Sequence, residues 1–264
     1  MLSPFEKIHM AHRCWRYRFK SEVPSISFVR NTDLRGKTLV DVGANLGIYS
    51  IYLSRAAGPA GRVVSFEAQP ELGSHLRAVK ESFRLENLTV ENIGLSCAPG
   101  TRVLRRTRVG AGTASFQGSA AHGLEEIEVK VARLDDYVED TGLGRVHFIK
   151  CDVEGHEWDV FKGGKAILRR DLPILLLECA HDIVEAGEFF RYLCGLGYDG
   201  FFYHVERRDH RSLLHKNRGS YVHFSEYSTH EYVRPGLNLR NYIFLERGIR
   251  PESVHWPSGQ PTRR

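Results

Sequence analysis

Apolar and polar positions follow one another along this chain in an order that predicts strands and helices in turn. Leu39, Val40 and Val42 form a short apolar run of buried-strand type, and it passes straight into a turn carrying Gly43 and Gly47. The next segment, Ile48-Tyr49-Ser50-Ile51-Tyr52-Leu53, places apolar residues at helical spacing. Arg62-Val63-Val64-Ser65-Phe66 is a second strand, Leu88 to Ile93 a third, Val146 to Cys151 a fourth and Pro173 to Leu177 a fifth. Between the third and fourth, Val103 to Phe116 and Glu128 to Val131 read as strands around a Gly/Ala/Ser-rich stretch, Gly110 to Gly123. That region predicts an inserted hairpin or mobile loop over about residues 100–131, before a short helix that starts at Leu134-Asp135-Asp136-Tyr137-Val138. Strand, glycine turn and helix in repetition predict a doubly wound α/β fold, Rossmann-like, with a mostly parallel sheet and helices on both faces.

The first turn narrows the ligand. It reads D-x-G-x-N-x-G, with Asp41, Gly43, Asn45 and Gly47, where a dinucleotide fold shows G-x-G-x-x-G. Glycines let a ligand lie against bare backbone, and the new helix presents unpaired N–H groups. Asp41 would repel a pyrophosphate but suits an ammonium group, held directly or through water. S-adenosylmethionine fits that pattern, because it has no phosphate and its methionine end carries an amine and a carboxylate. Tyr49, at the start of the helix, joins the candidate cofactor residues. The second strand ends at Glu67, 26 residues after Asp41, close to the spacing of about 20 at which a carboxylate meets ribose hydroxyls. Ala68 follows it, and Gly94, after the third strand, falls where the adenine would lie.

The fourth strand carries the densest chemistry. Val146-His147-Phe148-Ile149-Lys150-Cys151 runs into Asp152-Val153-Glu154-Gly155-His156-Glu157, and the fifth strand runs into Glu178-Cys179-Ala180-His181. In open α/β sheets the ligand lies beyond the carboxyl ends of the strands. Asp152, Glu154, Glu178 and His181 are therefore expected to converge on one cleft and, with Lys150, to form the catalytic group, Asp152 lying toward the cofactor's positive end. A buried Lys150 needs a partner, and Glu178 on the adjacent strand is the candidate. His181, Glu154 and Asp152 are candidate bases, and His156 is another, with a solvated helix start as its blander reading. The carboxylates can also hold Mg²⁺, though nothing in their spacing calls for it, and no metal ligand is assigned.

Asp41-Val-Gly-Ala-Asn-Leu-Gly47, Phe66-Glu67-Ala-Gln-Pro70, Leu134-Asp-Asp136 and Ile149-Lys-Cys-Asp-Val-Glu-Gly-His-Glu157 together resemble the FkbM-type S-adenosylmethionine-dependent methyltransferases, over about residues 37–246. The resemblance implies methyl transfer to a hydroxyl, often on a sugar, polyketide or other natural product. It also implies the class I methyltransferase sheet of seven strands with an antiparallel last strand. Gly200-Phe-Phe-Tyr203 and Asn241-Tyr-Ile-Phe-Leu245 fit its final two strands. Ala68 stands where proline is commoner, and Cys151 where an apolar residue is.

Composition sets the frame. At 264 residues and 42% hydrophobic, the chain suits one domain over 37–249, a helical or arm-like cap over 1–36 and a tail over 250–264. No apolar run reaches membrane-span length, and the start lacks a secretory h-region. Five cysteines without C-x-x-C spacing predict free thiols and a reducing cytoplasm. The net charge of +5 is uneven. Arg207, Arg208, Arg211, Lys216 and Arg218 fall in a basic loop of about 204–236 among aromatic residues, and Arg13 to Lys20 form a second basic-aromatic cluster that suits an arm over the cleft. Such segments solvate a loop or lid, contact a substrate, or bind nucleic acid, the last being least favoured. The competing functions are a dinucleotide-dependent oxidoreductase, which Asn45 disfavours, and a nucleic-acid methyltransferase or binding module. The expected partner is a small or glycosylated hydroxyl substrate. The oligomeric state stays open, with a homodimer compatible.

Overall fold

The strands that carry the predicted motifs lie side by side at the centre of one sheet. The computed structural model of the chain describes residues 1–117, 123–179, 187–207, 218–223, 226 and 241–254. It opens with α1 (Pro4–Arg16), a π-helical turn over Tyr17–Ser21, and α2 (Val23–Asn31). Ser3 caps α1 reciprocally with Glu6, and Pro4 sits at its first turn. Then come β1 (Thr38–Val42), α3 (Ile48–Ala57), β2 (Arg62–Phe66), α4 (Pro70–Phe83) and β3 (Leu88–Glu91). β4 (Gly94–Leu95), β5 (Gly100–Arg106) and β6 (Glu125–Ala132) form a separate three-stranded sheet. The chain continues through α5 (Leu134–Thr141), β7 (Phe148–Cys151), α6 (Glu157–Gly163), α7 (Lys165–Asp171) and β8 (Ile174–Glu178). It ends with α8 (Glu188–Gly195), β9 (Tyr198–Arg207), β10 (Arg218–His223), β11 (Asn241–Glu246) and a 3₁₀ turn at Pro251–Val254.

The main sheet has the order β10-β9-β11-β8-β7-β1-β2-β3. β8, β7, β1, β2 and β3 are mutually parallel. β11 runs antiparallel to both β8 and β9. Residues of β1 alternate between two cores. Val40 and Val42 pack with Ile149, Leu175, Phe161 and Phe189 on one face, and Leu39 packs with Ile51, Phe28 and Phe148 on the other. Both faces are covered, which is why the parallel strands read as nearly continuous apolar runs.

Among the described residues the sheet has eight strands where seven were expected, because β10 pairs with β9 at the sheet edge. Part of the basic stretch expected as a loop is strand: Tyr203 and Tyr221 are register partners with ring centroids 5.1 Å apart, and this aromatic cross-strand pair favours the hairpin over a solvated loop. The inserted hairpin is shorter on its first arm than expected. β5 stops at Arg106, and residues 107–117 leave it in turns.

Candidate active site

The β1–α3 turn is shaped by three left-handed residues, Gly43, Asn45 and Gly47. Gly43 has φ +75°, and a Cβ there would stand 1.9 Å from the carbonyl oxygen of Asp152, so only glycine lets the first turn press against the β7 turn. Gly43 and Ala44 both donate N–H to the Phe66 carbonyl at 3.0 Å, which ties this turn to the end of β2. Asn45 takes φ +47°, a conformation that asparagine tolerates. Its N–H donates to Glu67 Oε2 at 2.7 Å, and the Gln69 N–H donates to Glu67 Oε1 at 2.9 Å. Each oxygen of Glu67 thus holds one backbone donor and keeps a lone pair for another. Burial pushes the Glu67 carboxyl above its ordinary range, and the two backbone bonds oppose that.

Beneath the turn lies a buried charge cluster. Asp41 is fully buried. Its Oδ2 accepts from Ser50 Oγ at 2.6 Å, and its Oδ1 has no hydrogen-bond partner. Lys150 is its register partner on β7, donates to Asp152 Oδ2 at 3.1 Å, and lies 4.8 Å from the ring centre of Tyr49. Burial alone would strip the lysine of its proton, but the carboxylates of Asp152, Asp41 and Glu178 outweigh burial and hold it protonated. The ion-pair partner is thus Asp152 and not the expected Glu178. In the β7–β8 register Lys150 faces Leu176, two residues short of Glu178.

The turn after β7 explains its own motif. Glu154 and Gly155 are left-handed, with φ of +48° and +93°. Glu157, 1% exposed, accepts the N–H groups of Val153 and Gly155 at 3.3 and 3.1 Å. Its role is to hold the strained turn. His156 points away: its Nε2 is 3.0 Å from Ser96 Oγ, its ring abuts Phe116, and it is 3% exposed. Burial lowers its proton affinity. A candidate base that the sequence allowed is therefore a packed residue outside the cavity.

The two turns border a cavity of about 420 Å³. Gly43, Asn45, Tyr49, Glu67, Ala68, Gly94, Lys150, Asp152, Glu154 and Glu178 line it. Asp41 and Gly47 do not. Asp41 lies under the floor, and Gly47, with φ +84°, starts α3 against Leu76. His181 lies outside the described residues. Glu178 is pushed up to about 8 by burial and by Asp152, Glu22 and Glu154, with Lys150 opposing. Among the described residues no group of three or more His, Cys, Asp or Glu side chains is arranged to hold a metal ion.

Several lining residues were not singled out as site residues from the sequence. Glu22, between the π-turn and α2, reaches the cavity with its Oε2 accepting from Tyr49 OH at 3.3 Å and Asn241 Nδ2 at 3.0 Å. Arg13 and Tyr17 of the same arm also line it. The only available signal for Glu22 was a lone acid closing a basic run just before Val23-Pro24. Residues 108–116 pass over the cavity as a strap. Gln69 anchors one end, accepting from the Gly110 N–H at 2.9 Å and donating to the Ala111 carbonyl at 3.3 Å. At the other end Ser115 Oγ donates to the Glu154 carbonyl at 2.7 Å, and Gln117 donates to that of Gly155. Arg106, 2% exposed, braces the anchor through bidentate bonds to Glu71 and further bonds to Glu125 and Gln69.

Residues 41–199 match the family profile described as the methyltransferase FkbM domain. The chain is 27% identical over 154 residues to methyltransferase sdnD of Sordaria araneosa, which covers 47% of this chain and 59% of that protein. It is 28% identical over 167 residues to the hexuronic acid methyltransferase AglP of Haloferax volcanii, covering 59% and 62%. The chain thus spans somewhat over half the length of these relatives. Among solved structures, the methyltransferase FkbM of Methylobacillus flagellatus KT aligns at 17% identity over 79% of this chain and 43% of that one, with a TM-score of 0.49. Glu22 and Asn241 fall outside the matched segment.

Proposed function

The chain belongs to the FkbM methyltransferase family, and on that premise we propose that it binds S-adenosylmethionine in the 420 Å³ cavity and methylates a hydroxyl of a sugar, polyketide or other small natural product. The observation that carries this reading is Glu67, whose carboxylate is locked by two backbone N–H groups at one end of a cavity that holds Asp152 and Glu178 at the other.

Glu67 would accept the ribose hydroxyls with its remaining lone pairs. Gly43, Asn45 and the N-terminal turn of α3 would offer bare backbone and N–H groups to the carboxylate of the methionine end. Asp152, held in place by the Lys150 ammonium, would face the ammonium and sulfonium, with Asp41 reinforcing that field from below. Tyr49, Ala68 and Gly94 would complete the cofactor walls. The bound cofactor supplies an activated methyl carbon, and the protein supplies alignment.

A hydroxyl needs a proton acceptor, which contributes about 10²–10⁴-fold. Glu178 is the favoured base among the described residues, because its proton affinity of about 8 lies near working pH. Glu154 lines the same end, and His181 remains a candidate outside the described residues. No step requires Mg²⁺, since Lys150 occupies the cationic position beside Asp152. In this reading residues 1–36 cap the catalytic domain of 37–249. The site suits a cytoplasmic enzyme with access to S-adenosylmethionine.

Calorimetry with S-adenosylmethionine and NAD tests the cofactor assignment, with binding expected for the first alone. Incubation with methyl-labelled cofactor and a panel of methyl glycosides, with mass detection of ether products, tests the acceptor class. Failure to bind S-adenosylmethionine would overturn the reading.

A further inference from the structure

α1 has one face docked and one bare. Met10 and Cys14 are buried, and the Cys14 carbonyl accepts from Tyr52 OH at 2.8 Å. On the opposite side Phe5 is 78% exposed, Ile8 70% and Trp15 40%. At 3.6 residues per turn, Phe5, Ile8, His12 and Trp15 share an arc of about 80°. Trp15 extends the stripe to Phe19 in the π-turn, with ring centroids 5.8 Å apart. A contiguous exposed stripe of this kind marks an interaction surface.

Its charge identifies the occupant. Residues 1–21 contain Lys7, Arg13, Arg16, Arg18 and Lys20 against the single acid Glu6, which is taken up in capping α1. Lys20 lies over the Trp15 ring at 5.9 Å and Arg18 over Phe19 at 4.6 Å, so the cations flank the aromatic stripe. A second copy of this chain would oppose like charges across the stripe. Nucleic acid would match the cations but leave Phe5 and Ile8 against phosphates. An anionic bilayer satisfies both, because apolar side chains enter the acyl boundary while Lys and Arg meet lipid phosphates.

We propose that α1 and the π-turn form a peripheral docking surface for an anionic phospholipid bilayer. Arg13 and Tyr17, on the same arm, line the cavity, so docking sets the cavity rim near the lipid surface. The proposal stands apart from the methyl-transfer reading and is tested without a cofactor.

The whole protein is sedimented with vesicles of phosphatidylcholine, with and without phosphatidylglycerol, at low and high salt. Binding is expected to rise at least about tenfold with the anionic lipid and to fall with salt. Ile8→Asp and Lys20→Glu, both at exposed positions, should each abolish most of that gain, while the control Ile249→Asp retains it. Unchanged circular dichroism and melting temperature would show that the variants fold. No anionic-lipid preference, or a preference untouched by Ile8→Asp, overturns the proposal. So does a dimer in light scattering that Ile8→Asp dissolves in a protein that ignores vesicles. Retention on a short RNA that Ile8→Asp leaves intact, without vesicle binding, also overturns it.

Discussion

Lys150 Nζ donates to Asp152 Oδ2 at 3.1 Å, just past the end of its own strand, while Asp41 faces the same lysine from β1. One buried cation thus serves a carboxylate in the cavity and another beneath it. Replacing Lys150 with Met would leave Asp41 and Asp152 without their counter-charge. The expected cost is about 3–5 kcal/mol of folding stability at neutral pH, read from urea denaturation. The loss should shrink when Asp41→Asn is added, because the fully buried charge is then gone.

Glu178 gives a pH signature. Its proton affinity is raised in the fold to about 8 from an ordinary 4.5. A raised value means that the protonated carboxyl stabilises the fold, fully so below pH 4.5, and that this contribution fades as pH climbs to about 8. Stability measured across that window should decline and then level off, and Glu178→Gln should flatten the slope. If Glu178 is the base, turnover should rise through the same pH region, and Glu178→Gln should remove that inflection.

Glu67→Gln is a narrow test of the proposed cofactor clamp. An amide cannot accept from both the Asn45 and Gln69 N–H groups, because one end becomes a donor. S-adenosylmethionine affinity is expected to fall roughly 10- to 100-fold by calorimetry, in line with an unmade bond to a buried group.

The strap links the two ends of the cavity. Arg106→Met removes the brace from Glu71, Glu125 and Gln69 and should cost about 2 kcal/mol, with weaker cofactor binding. Arg106 depresses the Glu71 carboxyl to about 2, so the contribution is present above pH 4.5 and disappears as pH falls toward 2. Melting curves at pH 7 and pH 3 should therefore differ less in the variant than in the parent chain.

The order of elements, the parallel strands and both cavity-lining turns could be read from the chain, because apolar periodicity and turn glycines are local properties. Gly43, Asn45, Glu67 and Asp152 could be placed at one cleft for the same reason: all follow the carboxyl ends of adjacent strands. Three things could not be read locally. Glu22 joins Asn241, 219 positions away, only through the folded arm. The partner of Lys150 depends on the β7–β8 register, which leaves Glu178 two residues beyond the lysine. The burial of His156 depends on Phe116 from the strap. The sequence by itself determined the fold class and which strand-end turns line the cavity. Tertiary packing alone decided which carboxylates pair, which are pushed toward protonation and what closes over them, because those depend on distances between segments far apart in the chain.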